Sequence, residues 1–229
     1  MKEFKIRASG SSQIMAEPKL KKDKEAGLLG QTAKTYCENW LKEQIYQRRK
    51  EFSSKKTDKG TDVEDNSLDF LIENEILPFC MKNETFFEDD FFTGTPDVLL
   101  SDTVIDLKNS WDCFSFPLFE QEITNKAYIY QLQVYMHMTG LKKAKLIYIL
   151  SNTPDEIVEK EIFFAINNKG LSQIQVEDIQ KRITDYHNYD NIDLKNRVKI
   201  YEIDYDPKII VKIKSQVIKC RNYIQTLIN

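Results

Sequence analysis

The stretch that most constrains the fold is residues 93–109, TGTPDVLLSDTVIDLKN. Two apolar runs, "PDVLL" and "TVIDLK", flank the short polar segment "SDT". Runs rich in Val, Ile and Leu around a short polar link are typical of a β-hairpin. We therefore predict two adjacent antiparallel strands, and hence a sheet, in the middle of the chain.

Apolar periodicity predicts the remaining elements and their order. Helices, strands, a helix, strands and a final helix follow one another, which favours an α/β fold with a mixed central β-sheet flanked by helices, in a single domain. The predicted elements are a short helix capped by Ser11 or Ser12; helices over 31–50, 61–77, 123–139 (closed by Gly140) and 176–187; an extended segment at 84–94; strands at 144–150, 158–166 and 197–205; and a last helix from Asp206.

The composition limits the classes of function. The chain has 229 residues, 41% of them hydrophobic and 30% charged, as in a globular protein. Its formal net charge of −3 provides no general attraction for nucleic acid, so such binding would depend on local basic patches. No apolar run is long enough to span a bilayer, and "MKEFKIRASG" lacks the apolar core of a secretory signal, so we expect an intracellular, cytoplasmic protein.

The cysteines and histidines are not spaced for a metal site or for catalysis. The four cysteines are scattered without a CxxC pair, and the two histidines are far apart in sequence. This pattern argues against a zinc site, a disulfide framework and a histidine-based mechanism. The residues concerned are Cys37, Cys80, Cys113, Cys220, His137 and His187.

The pentapeptide IDLKN occurs twice, at 105–109 and 192–196. An acid two residues before a lysine is uninformative alone, because about five acid-x-base pairs are expected by chance in a chain so charged. The second copy follows the polar run "YHNYDN" and is predicted to be a loop before the strand at 197–205. Another such string, Asp206-Pro-Lys208, is explained by a helix cap with Pro207 in the first turn.

The first copy has a different context. Asp97 and Asp106 lie on the two predicted strands of the hairpin, and such a carboxylate pair suits Mg²⁺ or Mn²⁺. Lys108 shares a strand face with Asp106 by the alternation of side chains, where its ammonium group can position water and offset charge on a transition state. The alternative interpretation is a surface hairpin with scattered charges.

Two flanking features favour the functional interpretation. Gln131 and Tyr135 share one face of a predicted helix, and both can donate hydrogen bonds to phosphate; no other glutamine has a tyrosine four residues later. Glu64 lies in the first turn of a predicted helix and is a candidate third carboxylate. The alternatives are a core tyrosine on an amphipathic helix and a glutamate favoured by the helix dipole.

Taken in order, these residues resemble the PD-(D/E)XK nuclease superfamily, in particular its RecB-type and phage-exonuclease (lambda exonuclease-like) branch. The matching elements span about residues 60–135 and are Gly60-x-x-x-Glu64, Gly94-Thr-Pro-Asp97, Asp106-Leu-Lys108 and Gln131-x-x-x-Tyr135. The resemblance implies a restriction-endonuclease-like core and Mg²⁺-dependent hydrolysis of phosphodiester bonds in DNA. It also implies a motif core at about 60–150, with the segments 1–59 and 197–229 packed on it.

The resemblance assigns a role to each matching residue. Asp97 and Asp106 would be the principal metal ligands, joined by the backbone carbonyl of Leu107, with Glu64 assisting directly or through water. Lys108 would orient or activate the attacking water. Gln131 and Tyr135 would steady the DNA or the lysine.

The resemblance also implies cofactors and partners. We expect Mg²⁺, for which Mn²⁺ would substitute, and no iron–sulfur cluster, since Cys220 is the only cysteine near the C-terminus. The expected partner is DNA, with a single-strand annealing or recombination protein and a homo-oligomer as further options. A phage-type exonuclease of recombination or DNA end processing, in the host cytoplasm if phage-encoded, is the main hypothesis. A structure-selective or restriction-like endonuclease and a non-catalytic nucleic-acid-binding module are its alternatives.

Overall fold

A computed structural model shows the fold and describes residues 2–48, 64–167 and 169–228, with the backbone alone for 64–66. Within these ranges the chain forms one α/β domain with two mixed sheets flanked by helices, which confirms the predicted fold class. No helix of the described residues has both the length and the apolar character needed to cross a membrane.

The smaller sheet has three short strands and the larger sheet four. The smaller sheet has the order β1-β3-β2, with β1 parallel and β2 antiparallel to β3. The larger sheet has the order β4-β5-β6-β7, in which only the β5–β6 pair is parallel. The strands are β1 Ile6–Arg7, β2 Phe87–Glu88, β3 Phe92–Gly94, β4 Val98–Leu99, β5 Thr103–Asn109, β6 Lys143–Ile149 and β7 Val198–Asp204.

Helices cover both faces of the larger sheet. Among the described residues they are α1 Ser11–Ile14, α2 Lys21–Glu25, α3 Gln31–Tyr46, α4 Glu64–Glu73, α5 Lys126–Thr139, α6 Asp155–Ile166, α7 Gln173–His187 and α8 Pro207–Ile228. Two short 3-10 turns, Ala8–Gly10 and Leu194–Asn196, complete the set.

The alternation of side chains along β5 divides the core into two parts. Ile105 and Leu107 point to one face and pack with apolar residues of α4. Val104 points to the other face, into the larger cluster that includes residues of α3, α5 and α8. Asp106 and Lys108 alternate onto this second face, so the fold directs two charged side chains towards α5.

Most of the predicted elements are confirmed with shifted ends. The hairpin of β4 and β5, the strands β6 and β7, the helix closed by Gly140 (φ 78°) and the last helix are all present. Asp206 caps that last helix, because its Oδ1 accepts a 2.8 Å hydrogen bond from the backbone nitrogen of Lys208. The segment 84–94 is extended but forms two strands, β2 and β3, joined by a turn. The predicted helices over 31–50 and 61–77 are shorter in the structure, and parts of both predicted ranges lie outside the described residues.

Two predictions are wrong. The segment 158–166 is not a strand but the greater part of α6, where Pro154 occupies the N-cap position and Asp155 lies in the first turn, a favourable place for an acid. Its two phenylalanines, Phe163 and Phe164, are exposed. Ser11 and Ser12 do not cap α1, because the N-cap position belongs to Gly10 and has no side-chain hydrogen bond.

Candidate active site

The two hairpin aspartates lie opposite one another. Val98 pairs with Ile105 in the antiparallel ladder, and continuing that register by one residue brings Asp97 opposite Asp106. Oδ2 of Asp97 accepts a 2.8 Å hydrogen bond from the backbone nitrogen of Leu107, which fixes the carboxylate beside the end of β5. The structure thus brings both predicted carboxylates and Leu107 together.

Asp106 is the centre of this group. Its side chain is completely buried, yet Oδ1 accepts a 2.8 Å hydrogen bond from Nε2 of Gln131, and Oδ2 lies 2.6 Å from Nζ of Lys108. A buried carboxylate is costly unless charged and hydrogen-bonding partners compensate for the lost water. The amide and the ammonium group provide this compensation.

Lys108 is mostly buried, with 24% of its side chain exposed. Burial alone would lower its pKa, but the negative charges of Asp106 and Asp97 outweigh that effect and raise it. The ammonium group also lies 5.2 Å from the centre of the Tyr128 ring, a cation–π distance. Lys108 is therefore a protonated lysine whose ammonium group is fixed between the two carboxylates and the Tyr128 ring.

Helix α5 brings in the two remaining residues. Nε2 of Gln131 lies 3.2 Å from the hydroxyl oxygen of Tyr135, one turn further along the helix. Burial, together with the nearby charge of Asp106, raises the pKa of Tyr135 to about 12, so its hydroxyl is neutral at ordinary pH. Tyr135 also belongs to the apolar core, as the structural alternative predicted, and its functional role stays a prediction.

The smaller sheet packs closely against Tyr135 at Gly94. A Cβ atom on Gly94 would lie 2.8 Å from Cε1 of Tyr135 and 3.2 Å from Cβ of Ala8. Real Cβ atoms essentially never come as close as the first distance. Glycine in the Gly-Thr-Pro-Asp string is thus explained by close packing against the helix.

Only the backbone of the candidate third carboxylate, Glu64, is described. Glu64 is the first residue of α4, its side chain lies outside the described residues, and so does Gly60. One turn later, Oγ of Ser67 donates a 2.6 Å hydrogen bond to Oδ1 of Asn109, at the end of β5. The start of α4 is therefore tied to the strand that carries Asp106, and the role of Glu64 stays a prediction.

The donors present fit a hard divalent cation. Within the described residues there is no group of three or more His, Cys, Asp and Glu side chains arranged to hold a metal. Mg²⁺ commonly takes only one or two carboxylates and keeps several waters. A carboxylate offers about four lone-pair sites, so one oxygen can accept a hydrogen bond and also bind a cation. Asp97 and Asp106 would be the carboxylate donors, and the Leu107 carbonyl would be a further oxygen donor.

The second IDLKN copy has none of this environment. Leu194–Asn196 forms a 3-10 turn before β7, as the loop prediction required. Lys195 and Asp193 lie 3.4 Å apart, but their side chains are 78% and 72% exposed. Exposed ion pairs of this kind contribute little to the stability of the folded protein.

Sequence reasoning missed Tyr128 at the site. This residue lies three positions before Gln131 on α5, so helical spacing could have identified it as a neighbour of the predicted pair. Its ring also contacts Tyr148 edge-on, with the ring centres 6.1 Å apart. Tyr148 itself could not be found without the strand register.

Comparison with known proteins bears on the fold. No protein-family model and no curated protein sequence matches the chain. Among solved structures, the chain is similar to a phage-related exonuclease from Haemophilus somnus 129PT, with 29% identity, a TM-score of 0.74, and coverage of 99% of this chain and 96% of that one.

An alkaline exonuclease from Laribacter hongkongensis, LHK-Exo, shares the fold at lower identity. The identity is 14%, the TM-score 0.62, and the coverage 98% of this chain and 89% of that one. The same protein in complex with dAMP gives 16% identity, a TM-score of 0.61, and coverage of 97% and 91%. The resemblance inferred from the motifs is confirmed: the chain has the fold of lambda-exonuclease-like PD-(D/E)XK nucleases.

Proposed function

We propose that the protein is a Mg²⁺-dependent deoxyribonuclease that hydrolyses phosphodiester bonds as an exonuclease. The observation that carries this proposal is the fully buried Asp106, held by Lys108 at 2.6 Å and Gln131 at 2.8 Å and opposite Asp97 in the hairpin. A protein without a catalytic role for these groups would gain more from an apolar side chain at the same position.

Each residue of the site has a task in this chemistry. Asp97, Asp106 and the Leu107 carbonyl would hold the cation, with Glu64 as a further ligand. Bound Mg²⁺ supplies positive charge that stabilises the phosphoryl oxygens during hydrolysis. Lys108 would donate a hydrogen bond to the attacking water or to a phosphate oxygen.

Helix α5 completes the arrangement through hydrogen bonds. Gln131 donates a hydrogen bond to one of the two oxygens of the Asp106 carboxylate. The Tyr135 hydroxyl, neutral at ordinary pH, lies beside the Gln131 amide and would keep the orientation of that amide fixed. These two residues position the carboxylate, whereas Lys108 is the group that would meet the substrate.

Exonuclease action is the preferred form of the activity. Its support is the likeness over nearly the whole chain to a protein described as a phage-related exonuclease. LHK-Exo has been crystallised with dAMP, a single nucleotide, which supports a nucleic-acid substrate for this fold. A phage origin, a part in recombination or end processing with an annealing protein, and a homo-oligomer belong to the same proposal.

A digestion assay on linear and closed circular DNA tests this function. With Mg²⁺ or Mn²⁺ the wild-type chain should degrade linear DNA to small products and leave closed circles intact, and EDTA should stop the reaction. Cleavage of circles would point to the endonuclease alternative. Absence of cleavage under every metal condition would contradict the proposed activity.

A further inference from the structure

A row of three side chains crosses the larger sheet beside the candidate site. The register pairs Lys108 with Tyr148 on β6, and Tyr148 with Lys199 on β7. Paired residues point to the same face, and neighbouring strands are about 4.8 Å apart, so the two lysine positions are separated by roughly 10 Å. We call Lys108, Tyr148 and Lys199 the Lys–Tyr–Lys row.

Ring contacts show that this face is the one that carries Asp106. Tyr128 of α5 contacts Lys108 and Tyr148, and the ring of Tyr148 meets that of Tyr201 edge-on at 6.0 Å. Nζ of Lys199 lies 5.8 Å from the centre of the Tyr201 ring. Tyrosine rings therefore connect the first lysine of the row to the second.

Lys199 is available for a ligand. Its side chain is partly exposed, and it forms no ion pair with any carboxylate of the described residues. On the opposite face of the same strand pair, Lys145 is held by Glu202 at 3.1 Å. The contrast leaves Lys199 as a cation beside the site without a carboxylate partner in the described chain.

A loop borders the row on the β7 side. Residues 110–125 join β5 to α5, and the hydroxyl of Tyr201 donates a 3.0 Å hydrogen bond to the backbone oxygen of Glu120 in this loop. Phe116 of the same loop is buried in a small cluster against which Tyr148 packs. These contacts hold the loop against two of the tyrosines.

The held loop nevertheless displays aromatic side chains to solvent. Phe119, next to the anchored Glu120, is 84% exposed, and Phe114 is 83% exposed. Leaving two phenylalanine rings in water forgoes the free energy of burying them. Because the neighbouring Glu120 is hydrogen-bonded to Tyr201, which lies on the same face of β7 as Lys199, Phe119 follows the chain close to that face.

We propose that the Lys–Tyr–Lys row and Phe119 bind an unpaired DNA strand that leads away from the scissile phosphate. Lys199 contacts a phosphate about three nucleotides from the scissile one, and the Phe119 ring stacks on a base. The roughly 10 Å between the two lysine positions corresponds to about three nucleotide rises of a stacked strand. Aromatic side chains on which bases stack, beside cations that contact the backbone, are how proteins hold single strands, so we assign the strand at this point as unpaired. The inference rests on the proposed nuclease function and names the form in which its site holds substrate.

A binding experiment tests the proposal without using cleavage. The Lys108→Ala chain serves as the reference, because it keeps Lys199 and Phe119 and is expected to leave DNA intact. Its Kd for a short fluorescein-labelled single-stranded oligonucleotide is measured by fluorescence anisotropy in Mg²⁺ over a range of salt concentrations. Adding Lys199→Ala should weaken binding and reduce the slope of log K against log salt by about 0.7, the value for one lost phosphate contact on a single strand.

The aromatic contact has a different signature. Adding Phe119→Ala should weaken binding about fivefold to a hundredfold, as loss of one base–aromatic stack does, and should leave the salt slope unchanged. Lys145→Ala, on the opposite face of the sheet, and Phe163→Ala, an exposed phenylalanine on α6, are the matched controls and should bind like the reference.

The outcomes separate this proposal from the proposed function. Reference-like Kd and salt slope in both the Lys199→Ala and Phe119→Ala chains would overturn the strand contact. So would a wild-type chain that binds no single-stranded DNA in EDTA, where it is expected to leave DNA intact. Binding lost in these two variants, with a wild-type chain that cleaves no DNA, would establish the contact and contradict the nuclease activity.

Discussion

Nε2 of Gln131 donates a 2.8 Å hydrogen bond to Oδ1 of Asp106, although the two residues are 25 positions apart in sequence. The same amide lies 3.2 Å from the Tyr135 hydroxyl, and an amide group has two hydrogens to donate. Helix α5 thus holds the buried carboxylate of β5 in one orientation. We therefore expect the glutamine–tyrosine pair to act mainly by positioning this carboxylate.

Replacing Gln131 by leucine should destabilise the protein as well as reduce nuclease activity. The change removes one donor from a buried carboxylate, which costs about 1–3 kcal/mol of unfolding free energy. Urea unfolding in EDTA measures this loss without any metal. Gln173→Leu is the control, because Gln173 is exposed on α7, where substitutions usually stay within about 0.5 kcal/mol. Equal stabilities of the two variants would contradict the positioning role.

The buried Asp106–Lys108 pair should show energetic coupling. A double-mutant cycle with Asp106→Asn and Lys108→Met should give a coupling of about 0.5–3 kcal/mol, because each single change leaves a charged group without its partner. The chain contains its own control, since Asp193 and Lys195 repeat the same local sequence on the surface. Their cycle should give the smaller value, and an equal or larger one would show that burial does not strengthen the first pair.

Gly94→Ala should disturb the site by displacing Tyr135. The added methyl group would lie 2.8 Å from Cε1 of Tyr135, so the ring and its neighbours must move, at a cost of about 1–3 kcal/mol. Unfolding measurements on Gly94→Ala, Tyr135→Ala and the double variant test the cause. The double variant should lose less stability than the two single losses together. Simple additivity would mean that the two residues are not in conflict.

Mg²⁺ should stabilise the folded protein through Asp97 and Asp106. A ligand that binds only the folded state adds about 2.7 kcal/mol at a hundredfold excess over its Kd. Thermal unfolding with increasing Mg²⁺ should therefore raise the Tm of the wild-type chain and leave that of Asp106→Asn nearly unchanged. An equal rise in both chains would place the cation elsewhere.

The sequence was most informative where chemistry and periodicity coincide. The hairpin of β4 and β5 follows from its apolar runs, and Asp106 and Lys108 share a face by simple alternation. The second IDLKN copy lies in a turn before β7, as its polar surroundings predicted. These inferences need only local rules.

The errors and omissions have physical causes. The apolar run at 158–166 fits a strand or a helix, and the acidic first turn at Asp155 decides for the helix. The position of Lys199 beside the site follows from its register with Tyr148 across β6 and β7, which no local pattern contains. Which charges meet across a sheet is a property of the whole fold.

The central claim is that the first DLK string is an active site and the second is not. The most direct measurement compares Mg²⁺-dependent degradation of linear DNA by the wild-type, Lys108→Ala and Lys195→Ala chains. Lys108→Ala should nearly abolish cleavage, and Lys195→Ala should retain activity close to that of the wild type. Undiminished cleavage by Lys108→Ala, or comparable loss in both variants, would contradict the account.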